Sequence, residues 1–178
     1  MQTEWNESRV PAARTHWRQV LADVILGALI GGPLAAPFLR ASSLPLTSLI
    51  ADIIYFMGGH VCPQPEMAAA LVPPHLMAVC MRCMGTLAGV VFTRALFARD
   101  RGNGPYWLPQ YGLAGGLISV ILMLFYPAEW YAQHLGWWDY SNLVVTPFGF
   151  VAGVGLGLAI VPLIYGSQER EQSSATVR

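Results

Sequence analysis

The sequence contains no lysine, and it is poor in charge of either sign. Charged residues occupy 11% of its 178 positions, whereas a soluble domain carries roughly 25%. Ten arginines balance ten acidic residues, so the formal net charge is zero, and the chain lacks the basic face that a nucleic-acid partner requires. Three cysteines are too few for a disulfide framework. These shortages exclude an ordinary soluble domain, a nucleic-acid-binding protein and a small disulfide-built scaffold.

Long apolar stretches dominate the remaining sequence, which is 54% hydrophobic with a mean hydropathy of +0.47. A membrane-spanning helix needs about 20 largely apolar residues, because its backbone polar groups must be satisfied within the segment. Four stretches meet that requirement: 19–39, 77–97, 107–126 and 143–165. The sequence therefore predicts an all-α integral membrane bundle of four spanning helices in one domain, residues 19–166, in contact with membrane lipids.

A fifth apolar stretch, 44–57, has only 14 residues and contains Asp52. That length is short for a crossing, so it predicts a short interfacial or re-entrant helix, with Asp52 paired to Arg40 or Arg82. The second span contains Arg82 and Arg94 near its ends, and we expect both side chains to extend to the lipid headgroups.

The arginines are distributed unevenly between the two faces that four spans create. Eight of the ten fall on one face and two, Arg40 and Arg82, on the other. Because basic residues near span ends collect on the cytoplasmic side, this distribution predicts that both termini are cytoplasmic. Residues 1–18 then form a cytoplasmic segment, and the polar residues 167–178 form a disordered cytoplasmic tail.

Residues 127–142 are predicted to form an outer loop that is rich in tryptophan and tyrosine. Amphipathic rings favour the headgroup level of a membrane, so the loop is an aromatic belt or a docking surface for a partner or pigment. His134 in this loop and His75 before the second span are candidate axial ligands for a haem or a chlorophyll magnesium; the alternative is that both are solvated imidazoles.

Every predicted span contains glycines spaced four residues apart, a spacing that lets helix backbones approach closely in lipid. The pairs predict a tight bundle or contact with a neighbouring subunit, and the spacing alone does not distinguish the two. The glycines are Gly27 and Gly31, Gly85 and Gly89, Gly112 and Gly116, and Gly149, Gly153 and Gly157.

Residues that can bind metal or react as thiols are concentrated in two short segments around the three cysteines. Cys80 and Cys83 have the Cys-x-x-Cys spacing at the start of a predicted helix, and Cys62 lies in the preceding loop. Three thiolates and the imidazole of His60 make a set of four ligands for tetrahedral zinc. A disulfide from Cys62 to Cys80 or Cys83, inert packed thiols and a redox relay are the alternatives.

The chain resembles a family of prokaryotic multi-pass membrane proteins known as domain of unknown function 2085. Members carry a Cys-His-Gln-x-Pro element and then a Cys-x-Arg-Cys-x-Gly element that opens the next span, and the resemblance covers roughly residues 45 to 160. The first element departs from the family in two ways: Pro63 replaces the histidine that follows the first cysteine, and Pro65 comes one residue earlier than the family's proline. The matching residues are Cys62 and Gln64 in the first element and Cys80, Arg82, Cys83 and Gly85 in the second.

We expect the protein to be a non-catalytic accessory or scaffold subunit of a larger membrane complex, of the respiratory or photosynthetic kind, with a structural cysteine site. Other membrane subunits are then its partners, and the bound cofactors are zinc, a pigment or a lipid. No catalytic residue is predicted. The alternative is a membrane enzyme that uses the cysteines for thiol-redox or metal-assisted chemistry.

Overall fold

The structure is a computed structural model that describes residues 17–42, 44–100 and 104–165, without the side chain of Arg18. Most of the expected cytoplasmic segment and the expected tail lie outside these residues. Six α-helices and one short β-hairpin make up the described chain. They are α1 Trp17–Ala41, α2 Pro45–Val61, β1 Ala70–Val72, β2 His75–Leu76, α3 Met81–Asp100, α4 Gly112–Met123, α5 Phe125–His134 and α6 Asn142–Tyr165, with 3₁₀ turns at Pro65–Met67 and Leu108–Tyr111.

Four segments of the described chain are long and apolar enough to cross a membrane, as the sequence predicts: Gln19–Ala41, Met81–Asp100, Leu108–His134 and Asn142–Tyr165. Each agrees with a predicted span at its core, and the third is longer than predicted. The all-α membrane bundle is therefore confirmed.

Contacts between the helices show that successive spans run in opposite directions. Asp23 near the start of α1 contacts Arg94 near the end of α3, so these two helices are antiparallel. Ser119 in α4 donates to the Gly155 carbonyl in α6 (2.9 Å), and Trp107 before α4 packs on Tyr165 at the end of α6. The ends of the described chain, Trp17 and Tyr165, consequently lie at one end of the bundle, and the cysteines lie at the other.

The centre of the bundle is the contact between α3 and α6, which run parallel to each other. Small residues allow it, because a Cβ at Gly149 or Gly153 would overlap the backbone carbonyl of Arg82 or Thr86. Gly85 faces Thr146 in the same way from the other helix. Backbones this close maximise dispersion contacts, which are the main attraction between helices in lipid.

The third span is broken at Leu124 and then continues as α5. Pro127 in the first turn of α5 has no N–H to donate to the Met123 carbonyl, and this accounts for the break there. The predicted outer loop over 127–142 is therefore wrong for its first half, because residues 127–134 are helical. Residues 135–141 connect α5 to α6.

Helix α2 turns back along α1 instead of crossing the bundle. Arg40 in α1 pairs with Asp52 in α2, as predicted, and Gly32 faces Ile54. The exposed side of α2 is apolar and includes Leu49, Ile53 and Phe56. The helix therefore follows α1 for part of its length and ends at the cysteines.

A backbone hydrogen bond connects α1 to the segment before α3. Pro37 has no N–H, so the carbonyl of Pro33 lacks its usual partner within α1. The N–H of Ala78 donates to that carbonyl instead (3.5 Å). Helix α1 continues for eight residues beyond Pro33, a rise of roughly 12 Å. The start of α3 is thus recessed from the end of α1.

The two other glycine pairs have no neighbour within the described chain. A Cβ added at Gly27 or Gly31 in α1, or at Gly112 or Gly116 in α4, would meet no atom within 4 Å. The glycine pairs therefore fall into two groups that the spacing did not distinguish. Those of α3 and α6 pack the helices together, and those of α1 and α4 lie on the surface of the bundle.

Candidate metal centre

The three cysteines meet at the end of the bundle where α2 ends and α3 begins. Cys62 is the residue that caps α2, Cys80 directly precedes α3, and Cys83 lies in its first turn. The Cys83 sulfur is 3.7 Å from the Cys80 sulfur and 3.7 Å from the Cys62 sulfur. All three sulfurs lie within 4.8 Å of one another, and all three thiols are free.

The surroundings of the cysteines favour a thiolate at Cys62. The side chain is buried, and the backbone N–H of Cys80 donates to its sulfur (3.2 Å). Hydrogen bonds from the Cys80 and Cys83 thiols hold the pKa of Cys62 well below its usual range, and the same interaction with Cys62 raises the pKa of Cys80. Hydrogen bonds to the charged form are what lower a thiol pKa.

The separations of the sulfurs are compatible with a tetrahedral metal ion and are too long for a disulfide. A zinc–sulfur bond of about 2.3 Å at the tetrahedral angle places two ligand sulfurs about 3.8 Å apart, and two pairs here are at 3.7 Å. A disulfide requires about 2.05 Å. Among the described residues, the three sulfurs are therefore close enough together to serve as three ligands of one metal ion.

Arg82 lies between the two cysteines of the second motif and forms a buried ion pair with Glu129 of α5. Neither side chain has exposed surface. The other guanidinium nitrogens donate to the Gln64 amide oxygen (2.9 Å) and the Gln133 amide oxygen (3.1 Å). The indole N–H of Trp138 donates to Glu129 (3.3 Å). The three guanidinium nitrogens and both carboxylate oxygens of this buried pair thus have hydrogen-bond partners, as burial of charge requires.

The prediction that Arg82 extends to the headgroups is wrong, because the side chain turns inward to Glu129. The partner was missed because residues 127–142 were predicted to be a loop. Helical spacing could have revealed it: Tyr126, Glu129 and Gln133 recur at intervals of three and four residues and share one face of α5. That face supplies the contacts from α5 to the site.

Gln64 has a specific structural role. It follows Cys62 by two residues, and its hydrogen bond to Arg82 joins the loop that carries Cys62 to the helix that carries Cys83. The two sequence elements are therefore connected by a glutamine–arginine bond as well as by their sulfurs. Residues that orient metal ligands in this way contribute substantially to metal affinity.

The three histidines of the described chain lie apart from the sulfur cluster. His60 is exposed on α2, with its Nδ1 2.7 Å from the Phe56 carbonyl and its ring against Phe56. His75 is half-buried in β2, and His134, at the end of α5, stacks on Trp130 with ring centroids 4.5 Å apart. Among the described residues, the group of potential metal ligands that converges consists of the three cysteines.

An apolar cavity of about 730 Å³ opens beside the site, between α1, α2 and α3. Its walls include Leu29 of α1, Met57 of α2 and Leu87 of α3, together with Cys83 and Tyr126. The Tyr126 hydroxyl is 3.1 Å from the Cys83 sulfur. Cys83, the least buried of the three cysteines, thus lines this cavity.

Comparison with known families gives one match. The model of the family described as "Predicted membrane protein (DUF2085)" matches residues 62–159, just over half of the chain and the part from the first cysteine through most of α6. No curated protein and no solved structure matches the chain.

Proposed function

The chain belongs to the DUF2085 family of predicted membrane proteins. Because that family is an uncharacterised domain, we propose a function from the geometry of the cysteine site. We propose that it is a membrane-embedded zinc protein in which Cys62, Cys80 and Cys83 bind the metal. The main observation that supports this is the 3.7 Å spacing of the sulfurs, which is close to the spacing that tetrahedral zinc requires.

The second feature that supports the proposal is the surrounding framework. Metal ligands need a shell that fixes their orientation, and Gln64, Arg82 and Glu129 supply one with every strong donor and acceptor paired. Zinc adds two positive charges to the three thiolates and so lowers the electrostatic cost of bringing them together. A fourth position without a protein ligand is typical of zinc sites that bind water or substrate. Metal-assisted chemistry is therefore the reaction type that the proposal favours.

Metal analysis of the purified protein tests the proposal. We expect about one zinc ion per chain when the protein is extracted in mild detergent, because a tetrahedral cysteine site of this kind holds a single ion. Cys80→Ser should abolish zinc binding. His60→Ala is the matched control: it should retain full zinc content, because His60 bonds to its own helix. A metal-free protein with a Cys62–Cys83 or Cys62–Cys80 disulfide would refute the zinc site and support the disulfide.

A second candidate function is an accessory or scaffold subunit of a larger membrane complex, and the open glycine pairs support it. Gly27 and Gly31 on α1, and Gly112 and Gly116 on α4, present a close-packing surface on two sides of the bundle. Respiratory and photosynthetic complexes are the kinds of assembly we consider. Gly31→Leu should reduce recovery of co-purifying subunits, whereas Gly59→Leu, at another open glycine on α2, should not. Equal recovery from both variants would argue against the subunit role.

We also propose that the protein lies in a bacterial inner membrane with the cysteine end on the outer side. The arginine distribution supports this orientation, since Arg94 and Arg99 lie at the end of the bundle opposite the cysteines. A cysteine introduced at Tyr106, an exposed position at that end, should react with an impermeant maleimide only after the cells are permeabilised. Labelling of intact cells would reverse the orientation.

A further inference from the structure

The cavity beside Cys83 is located at the depth of the membrane interior. Its wall on α1 runs from Ile25 to Pro33, which is the middle of the candidate span Gln19–Ala41. Its opposite wall comes from α2 and the first two turns of α3. Any occupant therefore enters from the hydrocarbon region of the bilayer, where water-soluble molecules are scarce.

The chemistry of the lining restricts the occupant further. The walls are aliphatic, with Cys83, Thr86 and Tyr126 as the residues that carry polar side-chain atoms. The Thr86 hydroxyl already donates to the Arg82 carbonyl (3.1 Å). A volume of about 730 Å³ lies within the range of sites that enclose a small organic molecule. The cavity thus suits a long apolar group with a single polar end near Cys83 and Tyr126.

Charge determines which polar end fits. Of the residues that the structure describes, no arginine, histidine, aspartate or glutamate lines the cavity, and Arg82 beside the cysteines is neutralised by Glu129. A zinc ion bound by three thiolates carries a net negative charge of one. An anionic head group at the open position would raise the net negative charge of the site to two in a low-dielectric medium, which is costly. An uncharged oxygen, which can bind zinc or accept from Tyr126, avoids that cost.

We propose that this cavity binds the hydrocarbon tail of a single-chain membrane lipid with an uncharged oxygen head group, and that the head occupies the open position at the thiolate site. The polar half of this proposal rests on the zinc site proposed above. The apolar half depends only on the cavity. The protein would then bring a lipid-borne alcohol or carbonyl group to a metal ion at a defined depth in the bilayer.

Photolabelling in lipid nanodiscs tests the proposal with two probes, a hexadecanol and a hexadecanoic acid that carry the same diazirine in the tail. We expect the alcohol to label the cavity walls on α2 and α3, and the acid to label them about tenfold less, since an unpaired charge costs at least the 1.4 kcal/mol that a roughly tenfold change represents. Ala28→Phe fills part of the cavity and should reduce labelling by the alcohol about tenfold, because the added ring occupies space that the tail would fill.

Ala114→Phe is the matched control, because Ala114 is exposed on α4 and the same substitution there should leave labelling unchanged. Zinc content is measured on every sample, so that the two proposals fail separately. Labelling by the alcohol that persists in a zinc-free protein supports the tail site and refutes the metal. Equal labelling by both probes, unaffected by Ala28→Phe, identifies ordinary surrounding lipid and overturns the inference.

Discussion

Two of the arginine–carboxylate pairs, Arg82–Glu129 and Arg94–Asp23, lie at opposite ends of the bundle and differ in burial. At the cysteine end, Arg82 and Glu129 have no exposed side-chain surface. At the other end, Arg94 and Asp23 are 24% and 44% exposed, although Arg94 donates two well-formed hydrogen bonds of 2.8 and 2.9 Å. The Tyr165 hydroxyl donates to Asp23 (2.7 Å), and its ring lies under the Arg94 guanidinium.

The difference shows how one type of ion pair can serve two purposes. The exposed pair joins the ends of three helices and leaves its charges accessible to the membrane surface. The buried pair holds three elements around the three cysteines. Its two charges are stable in the interior only if their hydrogen-bond partners are present. The two ion pairs have similar residue types, so their different positions in the bundle account for their different roles. Arg94–Asp23 joins helix ends, and Arg82–Glu129 holds the elements around the cysteines.

The largest effect should come from breaking the buried pair. Arg82→Leu leaves Glu129 buried without a cation, and such a change costs about 3 to 5 kcal/mol in the free energy of unfolding. The double variant Arg82→Leu, Glu129→Leu should recover part of that loss, because no unpaired charge remains buried. Recovery is incomplete because Gln64, Gln133 and Trp138 lose their hydrogen-bond partners. Unfolding of the detergent-solubilised protein measures both values. A single variant as stable as the parent would mean that the pair does not support the site.

The next largest effect should come from disturbing the contact between α3 and α6, which should lower both stability and zinc content. Gly153→Ala places a methyl group against the Thr86 carbonyl, and overpacking of this kind costs about 3 kcal/mol or less. We expect lower stability together with loss of zinc, because α3 carries a ligand and begins next to another. Gly31→Ala, whose Cβ would meet no atom within 4 Å, should change neither property. Equal effects of the two substitutions on stability would contradict the packing described for α3 and α6.

A smaller effect concerns the bond between the two cysteine elements. Gln64→Ala removes the acceptor of Arg82 and should weaken zinc binding about tenfold, the lower range for a lost orienting partner. Competition with a chromophoric chelator measures the change. Gln110→Ala at the opposite end, where the amide donates to the Pro105 carbonyl (2.6 Å), is the control and should leave the affinity unchanged.

The smallest effect should follow from the exposed pair. Arg94→Leu removes the contacts to Asp23 and Tyr165, but partly exposed pairs contribute only about 0.2 to 1 kcal/mol. We expect a small decrease in stability with full zinc content, measured as for Arg82→Leu. A loss as large as that of Arg82→Leu would remove the distinction between the two ends.

The fold was largely predictable because each span is evident from its length and hydropathy, which are local properties of the chain. The approach of the three sulfurs was also accessible, since the spacing of Cys80 and Cys83 is helical and Cys62 lies in the loop before them. The pairing of Glu129 with Arg82 was missed, although the helical spacing of Tyr126, Glu129 and Gln133 offered a signal. The aromatic neighbours of Glu129 favour a surface loop, and its role depends on a partner 47 residues away in the chain.

The glycine pairs illustrate a second limit. The same spacing occurs in all four spans, yet only contacts in three dimensions reveal that Gly153 packs against a neighbour and Gly31 does not. The β-hairpin Ala70–Val72 with His75–Leu76 was also missed. Its strands are too short to show a period in the sequence, and both of them pack against α1.

The pairing of α3 with α6 has a consequence for how the protein is made. Chains are synthesised from the N-terminus, so α3 leaves the ribosome well before its main neighbour, which begins at Asn142. During that interval, Gly85 and Gly89 present an open groove to the translocation machinery and to surrounding lipid. The cysteine loop and α5 can pack on α3 first, and α6 then completes the bundle. A chain that ends before residue 142 would therefore lack the α3–α6 contact and expose Gly85 and Gly89.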